Sequence, residues 1–449
     1  MRRAVLRTAL AVLLIAPAAH ALTLDQTIGG CGGLAPTRTI QANPSTYKSL
    51  IAGLLPGDRM LLAPGTYTQG LRLHGKNGQP NKCIVIEGPA TGTPALFVGS
   101  GLWNTVSLRD NSYLVIRNLQ LDGKGLAGDG VKAEVESTYT HHITLENLKL
   151  VGYGQSDQRV GINTKSRAWN WVIRYVTIER AGTGMYLGKS DGTGEFVNGL
   201  IEHNLVSGTL GYNVQIKHQK SRATGIGIPA AGTTVIRHNV FSKANNSLTG
   251  TAARPNLLVG HWPLSGAGST DTYQIYGNLF YQNPGEALFQ GEGNIALHDN
   301  LFVNHLNRAV RIQRHNNLPR KVDVYRNTIV AKTEGIHLYN GDPAYPQRLT
   351  GNVVFAASPL SGGVQSANVI GAYASAVNYL VNPMGTLGTL DLYPKSGQLQ
   401  SLSFITSFLT GYLDWDKDFN GQVHLPTFRG AYSGDGVNPG WKPALAIKP

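Results

Sequence analysis

Between Val214 and Tyr339 the chain repeatedly offers side chains that move protons or hold anions. Gln215, Lys217 and His218 come first, then His261 and Trp262, then Gln290 and Glu292. Arg311, Gln313, Arg314 and His315 follow, and His337 and Tyr339 close the series. Lysine and histidine take or give a proton, arginine grips a carboxylate as a fork, and an aromatic ring offers a flat apolar face. That combination suits removal of a proton from a carbon beside a carboxylate. Breaking a uronic acid chain by β-elimination needs a neutralised carboxylate, a base at C5 and a proton for the leaving oxygen. Lys217, His218, His261 and Arg311 are the expected catalytic groups, Lys217 being the base if cationic neighbours lower its pKa. Gln215, Trp262, Gln290, Glu292, Arg314, His315, His337 and Tyr339 are the expected binding groups. Hydrolysis by paired carboxylates is disfavoured, because this face supplies only Glu286 and Glu292.

Such residues act together only if the fold brings them to one surface. A strand sends alternate side chains to opposite faces. Here the apolar partners Val214/Ile216, Leu257/Val259, Ala287/Phe289, Val310/Ile312 and Ile336/Leu338 read as inward. A repeat sets these strands in order. The pattern apolar-x-x-Asn-apolar-apolar recurs at Asn118, Asn147, Asn204, Asn239, Asn278, Asn300 and Asn327. The long gap between Asn147 and Asn204 spans two repeats through Ile173-Arg174-Tyr175-Val176. Units of this length cannot bury an apolar face alone, so they must stack. The expected fold is all-β, a right-handed parallel β-helix with a capped N-terminus. Stacked Asn side chains should hydrogen-bond along its axis, and Asn tolerates left-handed backbone. Leucine-rich and propeller signatures are missing. The solenoid is expected over residues 22–357, followed by an irregular closing segment, 358–449, packed on it. The stretches Lys220–Gly232 and Lys243–Thr272 would wall the groove.

Leu55-Pro56-Gly57-Asp58-Arg59, Ala63-Pro64-Gly65-Thr66-Tyr67 and Gly78 through Ile86 resemble the opening coil of secreted carbohydrate-active β-helices of the pectate-lyase-like superfamily. The wording is most similar to the alginate lyase/chondroitinase B family, polysaccharide lyase family six. Leu380-Val381-Asn382-Pro383, Asp416 through Gly421 and Arg429 through Tyr432 resemble its closing segment. Asn213 through Ser221 resembles the segment bearing that family's catalytic lysine, which falls on Lys217. The resemblance also implies an arginine one coil later and acidic calcium ligands near the lysine. Asn256 through Trp262 keeps only His261, and the acidic ligands are absent, so no metal or other cofactor is expected. Arg311 is the cation left to compensate. Gly211-Tyr212-Asn213-Val214 with His218 resembles alginate C5-epimerases, whose chemistry shares the proton abstraction. Epimerisation and non-catalytic polysaccharide binding therefore stay open beside the lyase reading.

The composition is charge-poor, with 39 Lys+Arg against 26 Asp+Glu in 449 residues and a formal charge of +13. Glycine is in excess, at 55 residues, and disorder would need lower hydrophobicity and more charge. Arg2, Arg3 and Arg7 before an apolar run, with Ala19-His20-Ala21, read as an export signal over 1–21 cleaved after Ala21. The protein is expected to be secreted or periplasmic and monomeric, with no membrane span. Its expected partner is an anionic polysaccharide; nucleic acid is excluded by the export signal and the missing recognition motifs. In an oxidising compartment Cys31 and Cys83 can form a disulfide, two buried thiols being the alternative.

Overall fold

A computed structural model describes residues 23–32, 35–135 and 137–449, so the expected export signal lies outside the described residues. The chain winds as a right-handed parallel β-helix. Among the described residues every ladder between coils is parallel; Leu380–Asn382 and Asp391–Pro394 pair antiparallel outside the coils, and isolated antiparallel bridges such as Gln400 with Phe428 occur in loops. The largest sheet has 25 strands in two arms, joined where Asn111–Asp122 and Tyr139–Val151 bend through a corner. A second sheet of eleven strands faces it and carries the expected site. Inward residues of both sheets fill one continuous core, with Val214, Ile216, Leu257, Val259, Phe289, Val310 and Ile312 all fully buried. Phe241, Phe280 and Phe302 stack through it, with ring centroids 5.3 and 4.5 Å apart.

The asparagine repeat is a hydrogen-bonded column. Asn204, Asn239, Asn278, Asn300, Asn327 and Asn352 each donate from Nδ2 to Oδ1 of the next, Asn368 being last, at 2.9 to 3.1 Å. The backbone N–H of each of the six donates to that same oxygen. The left-handed backbone falls one residue earlier, on His203, His238, Gly277, Asp299, Arg326 and Gly351. Asn118 and Asn147 are themselves left-handed. They belong to the exposed turn position and stand one place out of register with the buried column.

Outside the large sheet, charges alternate along the axis. Arg59 and Arg117 both reach Glu87, at 2.7 and 2.9 Å, and Arg174 meets Glu146 and Glu202, at 3.2 and 3.9 Å. Arg237 then meets Glu202 at 2.8 Å. Coiling continues past residue 357: Ser358–Ser361, Val364–Ser366 and Val369–Gly371 pair with the preceding coil. The remaining chain returns along the outside, where Leu380, Leu390, Leu392, Phe419 and Tyr432 pack on Val240, Leu279, Leu301, Val330 and Val353. At its end buried Lys448 donates to the carbonyls of Gly277 and Phe419, at 3.0 and 2.7 Å. No helix among the described residues is long and apolar enough to cross a membrane.

Cys31 and Cys83 are joined, with Cα atoms 5.7 Å apart across a separation of 52 residues. The link ties the segment after the helix Leu24–Gly29 to the third coil. Replacing both cysteines by serine is expected to lower unfolding free energy by about 2–4 kcal/mol, from the loop-closure entropy restored to the unfolded chain. Denaturant titration of oxidised and double-serine proteins measures it.

Candidate functional site

On the eleven-strand sheet the outward side chains form two rows. The first runs through the middle of each strand: Lys132, Asn163, Tyr186, Gln215, Leu258, Gln290, Arg311 and His337 are successive neighbours in register. The second lies two residues further on and carries Lys165, Gly188, Lys217, Gly260 and Glu292. Gln215 and Lys217 thus share one coil and one face, as alternation requires.

Lys217 is half-buried, and no carboxylate lies within ion-pair distance of it among the described residues. Its Nζ stands 5.6 Å from the centroid of the Tyr186 ring, and Lys165 approaches the same ring at 6.0 Å. Burial pulls the Lys217 pKa below the ordinary lysine range. His218, next along, is half-buried against the turn at Gly192, where a Cβ would lie 3.0 Å from its ring. Burial, then the charge of Lys217, lowers its pKa. Gly260, in the following coil, packs tightly on this one: a Cβ there would come within 2.2 Å of the His218 backbone nitrogen.

Beyond this coil the face differs from the sequence expectation. His261, Trp262 and Glu292 are each only 1% exposed. Strict alternation stops at Gly260, where the chain turns a corner and carries the next two side chains inward. The ring nitrogens of His261 meet the carbonyls of Trp262 and, at 2.9 Å, Leu318. Trp262 stacks on Tyr273, with centroids 4.2 Å apart, inside the core. Glu292 is a backbone cap: its oxygens accept the N–H groups of His261, His315, Asn316 and Asn317. None of the three is offered to a ligand.

Arg311 stays on the face, but Glu334 holds it through two bonds, at 2.8 and 2.9 Å. That pairing raises the Arg311 pKa and lowers that of Glu334. Arg311 also lies three coils from Lys217, about 14 Å. Gln290 and His337 are buried in the row, with His337 bonded to the Tyr339 hydroxyl at 3.0 Å. Arg314 and His315 are exposed on the loop that Glu292 caps. Of the expected residues, the structure brings Gln215, Lys217 and His218 together and separates Arg311 from them.

Sequence reasoning missed Tyr186, Lys165, Leu258 and Glu334. Reading the outward positions one coil upstream of Gln215 and two coils upstream of Lys217 reveals the first two. Of the expected walls, the loop after Lys220 is anchored by a buried pair. Arg222 meets Asp271 at 2.7 and 3.0 Å, with both side chains 1% exposed. Around Lys217 the side chains are lysine, histidine, tyrosine and glutamine, with one carboxylate, Asp191, on the neighbouring turn, paired with Lys189 at 2.9 Å. No group of three or more His, Cys, Asp or Glu among the described residues is placed to hold a metal ion. The calcium implied by the family resemblance therefore does not fit this face.

No family model and no curated protein matches the chain. Among solved structures, a GH136 lacto-N-biosidase from Eubacterium ramulus is 13% identical, with a TM-score of 0.49, covering 75% of this chain and 68% of that one. An alginate lyase from Paenibacillus sp. str. FPU-7 is 14% identical, with a TM-score of 0.40 and coverage of 75% and 98%. Pectate lyase Pel9A is 11% identical, with a TM-score of 0.45 and coverage of 90% and 98%. At these identities the likeness concerns the fold alone.

Proposed function

We propose that the protein is an exported enzyme that cleaves an acidic, uronate-containing polysaccharide by β-elimination, with Lys217 taking the C5 proton. The observation that carries this reading is Lys217 itself. It is an outward lysine with no carboxylate partner among the described residues, its pKa lowered by burial, beside a histidine also shifted down. Lysines that only bind anions at a surface have no need of such a shift.

In the proposed step Lys217 Nζ removes the proton from C5. The electron pair forms the C4–C5 double bond, the C4–O bond breaks, and the leaving oxygen takes a proton from a water held by His218, which its lowered pKa keeps neutral wherever Lys217 is neutral. Lys165 and Lys220, exposed and without ion-pair partners among the described residues, supply a positive field for the carboxylate. The disulfide supports an oxidising compartment.

Incubating the protein with a panel of uronate polymers and following ultraviolet absorbance of the unsaturated product tests the reaction. A changed proton-NMR ratio of uronate epimers without absorbance replaces it with epimerisation, and retention without either leaves a binding protein. The pH–rate profile then assigns the base. With Lys217 as base, turnover rises with pH through a limb below the ordinary lysine range, because only the neutral amine accepts a proton. A rising limb on the acid side of neutrality instead makes His218 the base and Lys217 the donor.

A further inference from the structure

The reading that an acidic polymer lies along the eleven-strand sheet carries a sharper statement about that polymer. We propose that Arg109, Lys165 and Lys217 form a ruler with a two-coil interval, selecting chains whose carboxylates recur on one side at every second sugar.

The row follows from the register. Leu108, Ala133, Thr164, Leu187 and Ile216 are successive ladder neighbours. The residues after them, Arg109, Glu134, Lys165, Gly188 and Lys217, therefore stack along one outward line. Cations occupy every second place. Arg109 and Lys165 are exposed, and neither has a carboxylate within ion-pair distance among the described residues. Between them stands Glu134, half-buried, its carboxylate accepting the Asn104 amide at 2.5 Å. Between Lys165 and Lys217 stands Gly188, with φ +91 and a would-be Cβ 3.4 Å from that of Lys217. In that coil Tyr186 presents its ring between the two ammonium groups. Past Lys217 the row loses its positive charge, at Gly260 and then the buried Glu292.

Two coils span about 9.6 Å. A 1,4-linked pyranose chain advances by about one coil per residue, so each sugar occupies one place in the row. A carboxylate on every residue of one side would meet Glu134 and then find nothing at Gly188. Carboxylates on alternate residues meet Arg109 and Lys165 in turn. The third mark is the reacting position, because the carboxyl and the C5 hydrogen share one carbon, and that carbon comes to Lys217. Two chemistries give this repeat: a chain alternating uronate with a neutral sugar, and a homopolyuronate with a twofold turn.

The test uses the full chain carrying Lys217→Arg, which keeps the charge and cannot release a proton. Three octasaccharides are titrated calorimetrically at low salt: unsulfated chondroitin (alternating), β-1,4-linked mannuronate (twofold), and deacylated gellan (one uronate in four). The alternating or the twofold probe, or both, should bind about threefold to fivefold tighter than the gellan probe, the size of one exposed ion pair; whichever does names the source. Lys165→Gln should erase that advantage and leave the gellan probe unchanged, since a four-residue period touches only the outer two marks. Equal affinities for all three, an equal loss for all on Lys165→Gln, or no binding overturns the ruler. If the ruler holds while the wild-type protein releases no unsaturated product, the elimination reading falls by itself.

Discussion

Lys217→Ala is expected to lower turnover on a cleaved polymer by at least the roughly 10²–10⁴-fold that accompanies loss of a positioned proton carrier. The side chain is half-buried on the outer face, with its Nζ 5.6 Å from the centroid of the Tyr186 ring and no carboxylate in ion-pair distance among the described residues. The nearest other amine of its outward row, Lys165, is two coils away, about 9.6 Å. Folding should be nearly untouched, because no buried partner loses a bond, so the change in stability stays within about 0.5 kcal/mol. His218→Ala should also cut turnover with little effect on the melting transition. His261→Ala separates the two kinds of residue. Its ring is buried between two carbonyls, so the variant should lose stability first, and activity only as folded protein is lost. Steady-state kinetics beside thermal melts of the three variants decide the matter. Near-wild-type turnover of Lys217→Ala removes it from the mechanism and leaves the face a binding surface.

Asn300→Ala should destabilise the fold by about 2–4 kcal/mol. The Asn300 side chain accepts from the backbone and side-chain nitrogens of Asn278, at 3.0 and 2.9 Å. It donates to Asn327 and to the Ile275 carbonyl, at 3.0 and 2.9 Å. Asn278 keeps side-chain bonds to Ile236 and Tyr276, but its backbone N–H is left without the Asn300 oxygen in a site with no access to water. Each polar group orphaned in this way costs about 1–3 kcal/mol. Asn147→Gly is the control. It is exposed, left-handed and bonded through its side chain to Asn118 at 2.8 Å, so its loss should stay within about 0.5 kcal/mol. Chemical denaturation compares the two, and equal losses would mean that the column contributes no more than a surface contact.

The fold was legible in the sequence because the repeat combines two independent signals, a buried apolar pair and an asparagine that must find its amide a partner. The order of coils, the two-coil gap through Ile173 and the inward residues all follow from strand alternation. What alternation does not carry is the corner. Trp262 and His261 were placed outward by extending period two beyond Gly260, where the chain had already turned under the sheet. His141 and His142 show the same limit: φ of 53° at His142 brings the Nδ1 atoms of adjacent rings to 2.7 Å, although a continuous strand would have parted them. Glu292 was legible as an acid but not as a cap, since the N–H groups it binds come from a loop more than twenty residues away. Tyr186 lies on the coil that carries Tyr175-Val176 in place of the asparagine signature, so its strand is weakly marked in the sequence.

The asparagine column has a consequence for how such a chain can change length. Its members are separated by 35, 39, 22, 27, 25 and 16 residues, yet every step makes the same bonds. The surplus residues lie in loops outside the column, which never registers them. A whole turn of the solenoid could therefore be duplicated or deleted, restoring the same amide contacts at the seam. A fraction of a turn could not, because it would leave one amide facing a carbon. Growth in whole turns would also move the marks on the cationic row apart by fixed steps of about 4.8 Å. The reach of the protein along a polymer would then be inherited in sugar-sized increments.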